Sequence, residues 1–340
     1  MDEMILNEIY FGKLPGLVKI EDYFLKIQQK YKKSNPYSNL SAYRELIKDP
    51  ILIKLAYELV DLFGFKEVSV TFARDDTFNA YCLPFVVDDK GNAYDIYEKK
   101  HENKQLSGMV IVTNSGMRFN TRKFPVNMLV CLNLGCLFKT KLTIPEVISV
   151  LLHEIGHMFS KVLMSHGMTA KADETFADSF CSMYGYGHEL VSAFSKIAIR
   201  YSDFDKMFKD VPVLNVITGI SQIFKGLSYY DPNEDHPATK IRLDNIVRQM
   251  EADLKDTEGL TPGMREDLKK QITQCKQLIH DTYDTTNKDN MGIRMTKYYH
   301  REMEPGFDSA AMKEADKYAH PTKLNDMIKG RIKPKGWFKI

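Results

Sequence analysis

Leu17, Ile20, Phe24, Ile27 and Tyr31 recur three or four residues apart, the repeat that gives a helix one apolar face. The spacing predicts an amphipathic helix over residues 15–32, opened by Pro15 and stopped by Asn35-Pro36. A second helical run extends from Pro50 to Phe63 and closes at Gly64. The period then changes. Val68, Val70 and Phe72 alternate with more polar neighbours in residues 67–74, which is strand spacing, and residues 78–87 read as a second strand. Residues 88–92 (DDKGN) have the composition of a turn, and 98–107 that of an exposed polar loop. Met109 to Thr113 and Met128 to Leu134 complete an expected small, mainly antiparallel sheet between residues 66 and 135.

The helical period returns at Thr143-Ile144-Pro145-Glu146, a capping box with proline in the first turn. Ile144, Val147, Leu151, Ile155 and Phe159 carry the apolar face of this helix, and Gly167 ends it. Another helix is expected from Thr169 to about Tyr184, closed by Gly185 and Gly187. Beyond 188 the chain reads as mainly helical. His236-Pro237 opens a helix marked by Leu243, Ile246, Val247, Met250 and Leu254, and Thr261-Pro262 opens another to about Thr282. Residues 284–310 are polar and irregular. The expected class is α+β, mostly helical, with the sheet preceding the 143–167 helix. The expected organisation is a helical extension (1–45), a central domain (46–255) and a helical extension with a basic tail (256–340).

Composition mainly excludes. At 44% hydrophobic and 27% charged over 340 residues, the chain can bury a substantial core as an ordinary soluble protein. A net charge of +2 gives no global reason to expect nucleic acid or membrane. The N-terminus lacks the apolar core of a signal peptide, and no run of about 18 apolar residues predicts a transmembrane helix. Five cysteines, an odd count without a Cys-x-x-Cys pair, suggest neither a disulfide framework nor a cysteine metal site, and point to a reducing compartment such as the cytoplasm. Residues 321–340 hold six basic groups against one acid, together with the only tryptophan, Trp337. This tail is either a solvated terminus or a contact for an acidic partner.

The chemistry is concentrated in His153-Glu154-Ile155-Gly156-His157. In HExxH on a helix, the two histidines stand one turn apart on the same side and can share one metal ion, while the glutamate can reach a water held there. A catalytic zinc ion takes three protein ligands and leaves a position for water. On the next expected helix, Glu174 is the candidate third ligand, with Asp173, His166 and His188 as rivals. Asp178, four residues beyond Glu174 on the same face, would accept a hydrogen bond from the non-ligating nitrogen of a zinc histidine, His153 by preference, and so orient the ring.

HEIGH followed by ETFAD resembles the gluzincin metallopeptidases, and within them the group of the CAAX prenyl protease and the bacterial heat-shock membrane protease. Phe78-Asn79-Ala80-Tyr81 before Leu83-Pro84 is similar to that group's Asn-Ala-aromatic strand, and Asp235-His236-Pro237 with Arg242 to its His-Pro…Arg segment. The resemblance runs in order from about residue 45 to 250. It implies a zincin-like fold and a zinc-dependent endopeptidase holding one Zn2+ ion. Peptide or protein substrate would be cleaved by a zinc-activated water, with Glu154 as general base and His236 as donor to the oxyanion. Asn79 and Ala80 would be the edge that pairs with substrate, and Arg242 would pair with Glu174 or Asp178. Read without the family, His236 is a helix cap and Arg242 a surface arginine. The membrane-spanning members have hydrophobic helices that this chain lacks. The competing expectation is a peptidase-like domain serving as a structural or assembly component, for example of a virus particle.

Overall fold

The computed structural model describes residues 15–63, 65–75, 80–95, 110–112, 118–120, 126–139, 141–163, 170–196, 239–255 and 261–281. It is a mixed α+β structure, mostly helical, with one four-stranded sheet. The described residues fall into two compact units, 15–163 and 170–281.

The first unit opens with helices α1 (Pro15–Tyr31), α2 (Leu40–Leu46) and α3 (Pro50–Phe63). The five periodic residues of α1 are all buried, so the apolar stripe is the packing face, laid on α3 and on the later helix α5 (Ile144–Leu163). Gly16 permits the close approach of α1 and α3: a Cβ there would lie 2.9 Å from Leu62 side-chain carbons. Short α2 starts at Asn39, whose side chain accepts from the N–H groups of Ser41 and Ala42 at 2.9 and 3.3 Å.

Six strands follow: β1 (Val68–Ala73), β2 (Ala80–Val87), β3 (Ala93–Asp95), β4 (Val110–Val112), β5 (Arg118–Asn120) and β6 (Asn127–Asn133). The main sheet has the order β1-β6-β2-β3. β6 runs parallel to β1, from Val68↔Met128 to Ala73↔Asn133, and antiparallel to β2, from Ala80↔Leu132 to Phe85↔Asn127. β3 pairs antiparallel with β2 only at residues 85–87 of the latter. Among the described residues, therefore, the outer side of Ala80–Pro84 carries no strand. β4 and β5 form a separate antiparallel pair. β2 alternates buried and exposed positions in its first half, with Tyr81 and Leu83 outward, the signature of a strand with one face on the core.

β6 leads into the short helix α4 (Leu134–Phe138), whose last carbonyls are reached by Gln28 of α1, Nε2 to Leu137 O at 2.8 Å. Helix α5 then packs across β2. Its expected apolar face, Ile144, Val147, Leu151, Ile155 and Phe159, is buried, and so are Ile148, Leu152 and Met158 on its flanks. Phe159 meets the rings of Phe63 and Phe65 at centroid distances of 6.0 and 5.5 Å. α5 is thus a central helix of this unit.

The second unit contains α6 (Ala170–Met183), α7 (residues 187–196), α8 (Thr239–Lys255) and α9 (Pro262–Ile279). Gly185 follows α6 at φ +81°, the left-handed conformation that ends helices without a Cβ penalty. α8 packs on α6 and on α9 through Leu243, Ile246, Val247 and Met250. Thr261 caps α9 by accepting the N–H of Met264 at 3.3 Å.

The expected loop 98–107, the irregular segment 284–310 and the tail 321–340 lie outside the described residues, as do Gly64 and Gly167. β3, β5, α2, α4 and α7 were not legible as elements. Three-residue strands are too short to show an alternation, and short helices too short to show a stripe.

Candidate metal centre

Helix α5 delivers the first two ligands. Its start is fixed where the sequence places the cap: the N–H of Thr143 donates to Glu146 Oε2 at 2.6 Å. One and a half turns of buried aliphatic residues precede His153, so the imidazole pair sits mid-helix on a packed support rather than at a fraying end. The Nε2 atoms of His153 and His157 face each other at 3.0 Å, with the rings nearly perpendicular at 84°. Two neutral imidazoles hold such a contact by one donating to the other. A cation placed against both would accept a lone pair from each. His153 is buried and His157 half-buried. Glu154, also half-buried, is adjacent to His153 on the helix, about 100° round its axis.

Helix α6 supplies two carboxylates, Glu174 and Asp178, both buried one turn apart. Phe176, Ala177 and Phe180 around them are buried too, so this is no solvated acidic face. Two buried carboxylates one turn apart repel each other, and a cation must accompany them. That cation is Arg242, in the first turn of α8. Its Nε donates to Asp178 Oδ2 at 2.9 Å and its Nη2 to Asp178 Oδ1 at 2.8 Å, a two-pronged clasp. The same Nη2 lies 3.1 Å from Glu174 Oε2. The guanidinium also rests over the ring of Phe194 in α7, 4.5 Å from its centroid.

One ligand atom each from His153, His157 and Glu174 lies within 4.8 Å of the others, a group that could hold a metal ion. It is the only such group among the described residues. Two imidazole nitrogens and one carboxylate oxygen are the donor set of hydrolytic zinc sites, and they leave a fourth position open. The residues present therefore fit the ion that the sequence implies. Of the rival ligands, Asp173 and His188 do not join the group. His188 instead lies 3.9 Å from Glu189. His166 is outside the described residues.

Among the other expected site residues, Ala80 begins β2, buried on the face opposite Tyr81, in the stretch whose outer side carries no described strand. Asn79 and His236 lie outside the described residues. The contact that sequence reasoning missed is Phe194 beneath Arg242; an aromatic residue so far along the chain leaves no local pattern. The pairing of Arg242 with both carboxylates was legible only through the His-Pro…Arg resemblance. Searches of protein-family models, of curated proteins and of solved structures found no match to this chain.

Proposed function

We propose that the chain is a zinc-dependent endopeptidase with a zincin-like fold. The observation that carries this reading is the His153–His157–Glu174 group on and beside an HExxH helix, with a half-exposed glutamate next to the first histidine. His153, His157 and Glu174 would hold one Zn2+ ion, which when bound supplies a Lewis acid that acidifies water and polarises a carbonyl.

The remaining work falls to the chain's own side chains. Glu154 takes the proton from the attacking water and returns it to the leaving amine, a role that needs a carboxylate reachable by water, as its partial exposure provides. Both oxygens of Asp178 are taken by Arg242 rather than by His153, and Arg242 holds Asp178 and Glu174 so that neither carboxylate is left as an unpaired buried charge. His236 donates to the carbonyl oxygen as negative charge gathers on it. The substrate backbone pairs with the side of β2 that no described strand covers, from Ala80 onward, with Asn79 preceding it in the chain. Proline at position 84 suits that arrangement, since a strand with one side uncovered tolerates a residue without an N–H. The five thiols are all free, in keeping with a reducing compartment.

The test is metal stoichiometry beside cleavage of an unstructured protein, comparing wild type with Glu154→Gln. Equal zinc content with cleavage reduced by at least about 100-fold supports the assignment. Full cleavage by the variant, or a wild-type protein that retains no zinc, overturns it.

A further inference from the structure

The opposite margin of the sheet from β3 carries a second feature, independent of the metal centre. β1 is the edge strand there. The register with β6 decides which of its backbone groups are used. Met128 N–H donates to Glu67 O at 2.9 Å, and Val68 is the partner of Met128. In a parallel ladder the residues flanking such a partner face the neighbouring strand, so Glu67, Ser69 and Thr71 point to β6 and Val68, Val70 and Phe72 point away. The Phe72 carbonyl is taken by the Tyr43 hydroxyl at 2.8 Å. Among the described residues nothing takes the outward N–H and C=O groups of Val68 and Val70.

These groups do not open onto flat solvent. Residues Lys66–Val70 form one wall of a groove of about 490 Å³ whose other wall is the end of α2 and the outer face of α3. These five residues, of which Val68–Val70 belong to β1, make a wall of up to roughly 16 Å. Three large apolar side chains of the helical wall are exposed: Ile47 at 36%, Ile53 at 60% and Tyr57 at 67%. Edge strands are normally blunted by a lysine, a proline or a bulge, and Val68-Ser-Val-Thr-Phe-Ala73 has none of these. Its edge, untaken among the described residues, and the apolar wall form the geometry in which a bound peptide adds one strand and lays alternate side chains on a helix.

Charge and width narrow the occupant. Asp49 is already held by Lys30 and Tyr31, while Lys48 and Lys66 are exposed and make no ion pair among the described residues, leaving Glu67 as the one uncommitted acid in the lining. The lining thus favours an acidic group near Lys48. A second copy presenting its own β1 would bring its own α3 beside that strand, into a groove walled by α3 already, whereas a lone extended segment brings no such wall.

We propose that the β1 edge binds an extended, apolar segment of a partner polypeptide carrying an acidic residue. The segment pairs with the backbone of Val68 and Val70, packs on Ile53 and Tyr57, and places its carboxylate by Lys48. The experiment uses the full chain and a short fluorescein-labelled peptide of alternating valine and threonine ending in two aspartates, followed by anisotropy. Saturable binding is expected, at least about tenfold weaker in Ile53→Glu/Tyr57→Glu and lost when the peptide backbone is N-methylated at alternate residues. Both substituted side chains are exposed, so the variant should keep the wild-type melting temperature. Absence of saturable binding overturns the proposal, as does equal binding by the double variant or by the N-methylated peptide. A concentration-dependent dimer in sedimentation that the double variant abolishes also overturns it, by assigning the groove to a second copy.

Discussion

Arg242 grips Asp178 with two parallel hydrogen bonds of 2.8 and 2.9 Å while the same guanidinium reaches Glu174 at 3.1 Å. One cation therefore serves two buried carboxylates, of which one is a candidate metal ligand and the other its neighbour one turn on. Removing it leaves both carboxylates uncompensated. Arg242→Ala is expected to lower stability by about 3–5 kcal/mol, read from the denaturant midpoint. Arg242→Lys, which keeps charge but not the fork, should fall between the variant and wild type. A wild-type midpoint in the alanine variant would show that the pair is not an essential counter-charge.

Glu174→Ala tests the ligand set directly. With only two imidazoles left, zinc retention after dialysis against a weak chelator should fall at least about tenfold by elemental analysis. Asp173→Ala should retain the wild-type content, because Asp173 is outside the ligand group.

Asp49 gives a pH signature remote from the metal centre. Burial alone would raise its pKa. Hydrogen bonds from Lys30, the Ile51 N–H and the Tyr31 hydroxyl outweigh that, so the carboxyl titrates below its usual 3.8. A depressed folded-state pKa contributes stability that is complete above the unfolded value and disappears as pH falls through the folded one. Asp49→Asn should thus cost about 1 kcal/mol at neutral pH, a modest figure because Lys30 is largely exposed. The difference between variant and wild type should begin to shrink as pH falls to about 3.8 and vanish only below the lower folded-state value, as measured by urea unfolding across that range. A difference that persists in acid would assign the effect to packing.

All five cysteines are buried and free. Burial pushes the Cys275 thiol up to about 12 and raises that of Cys181 well above its ordinary value, so little thiolate is present to react. An aromatic disulfide reagent should label the native protein only on the timescale of unfolding, and five thiols at once in denaturant. Rapid labelling of even one thiol in the native protein would contradict the burial described here.

Where the chain repeats a simple period, sequence and structure coincide. The α1 stripe from Leu17 to Tyr31, the alternation of β1 and the capped start of α5 at Thr143 are each set by a local rule strong enough to survive tertiary packing. The His153–His157 pair was legible for the same reason, since helix geometry alone places both rings on one side. The grouping with Glu174 needed tertiary structure to be seen, and so did Phe194 under Arg242. Nor does any local pattern reveal that β6 lies between β1 and β2, a pairing of Val68 with Met128 that depends on the whole intervening chain.

That order of strands has a kinetic side. β1 and β2 have no ladder to each other and meet only through β6, which is made last of the three, so the sheet cannot close progressively as hairpins do. Loop closure over so long a span is slow, and until it happens β1 lacks its β6 partner and β2 has only its short pairing with β3. α5, which carries the histidines, is next after β6 and α4 and rests on β2. A nascent or refolding chain therefore completes its scaffold and its imidazole pair in nearly the same step, and an interruption upstream of Asn127 leaves neither.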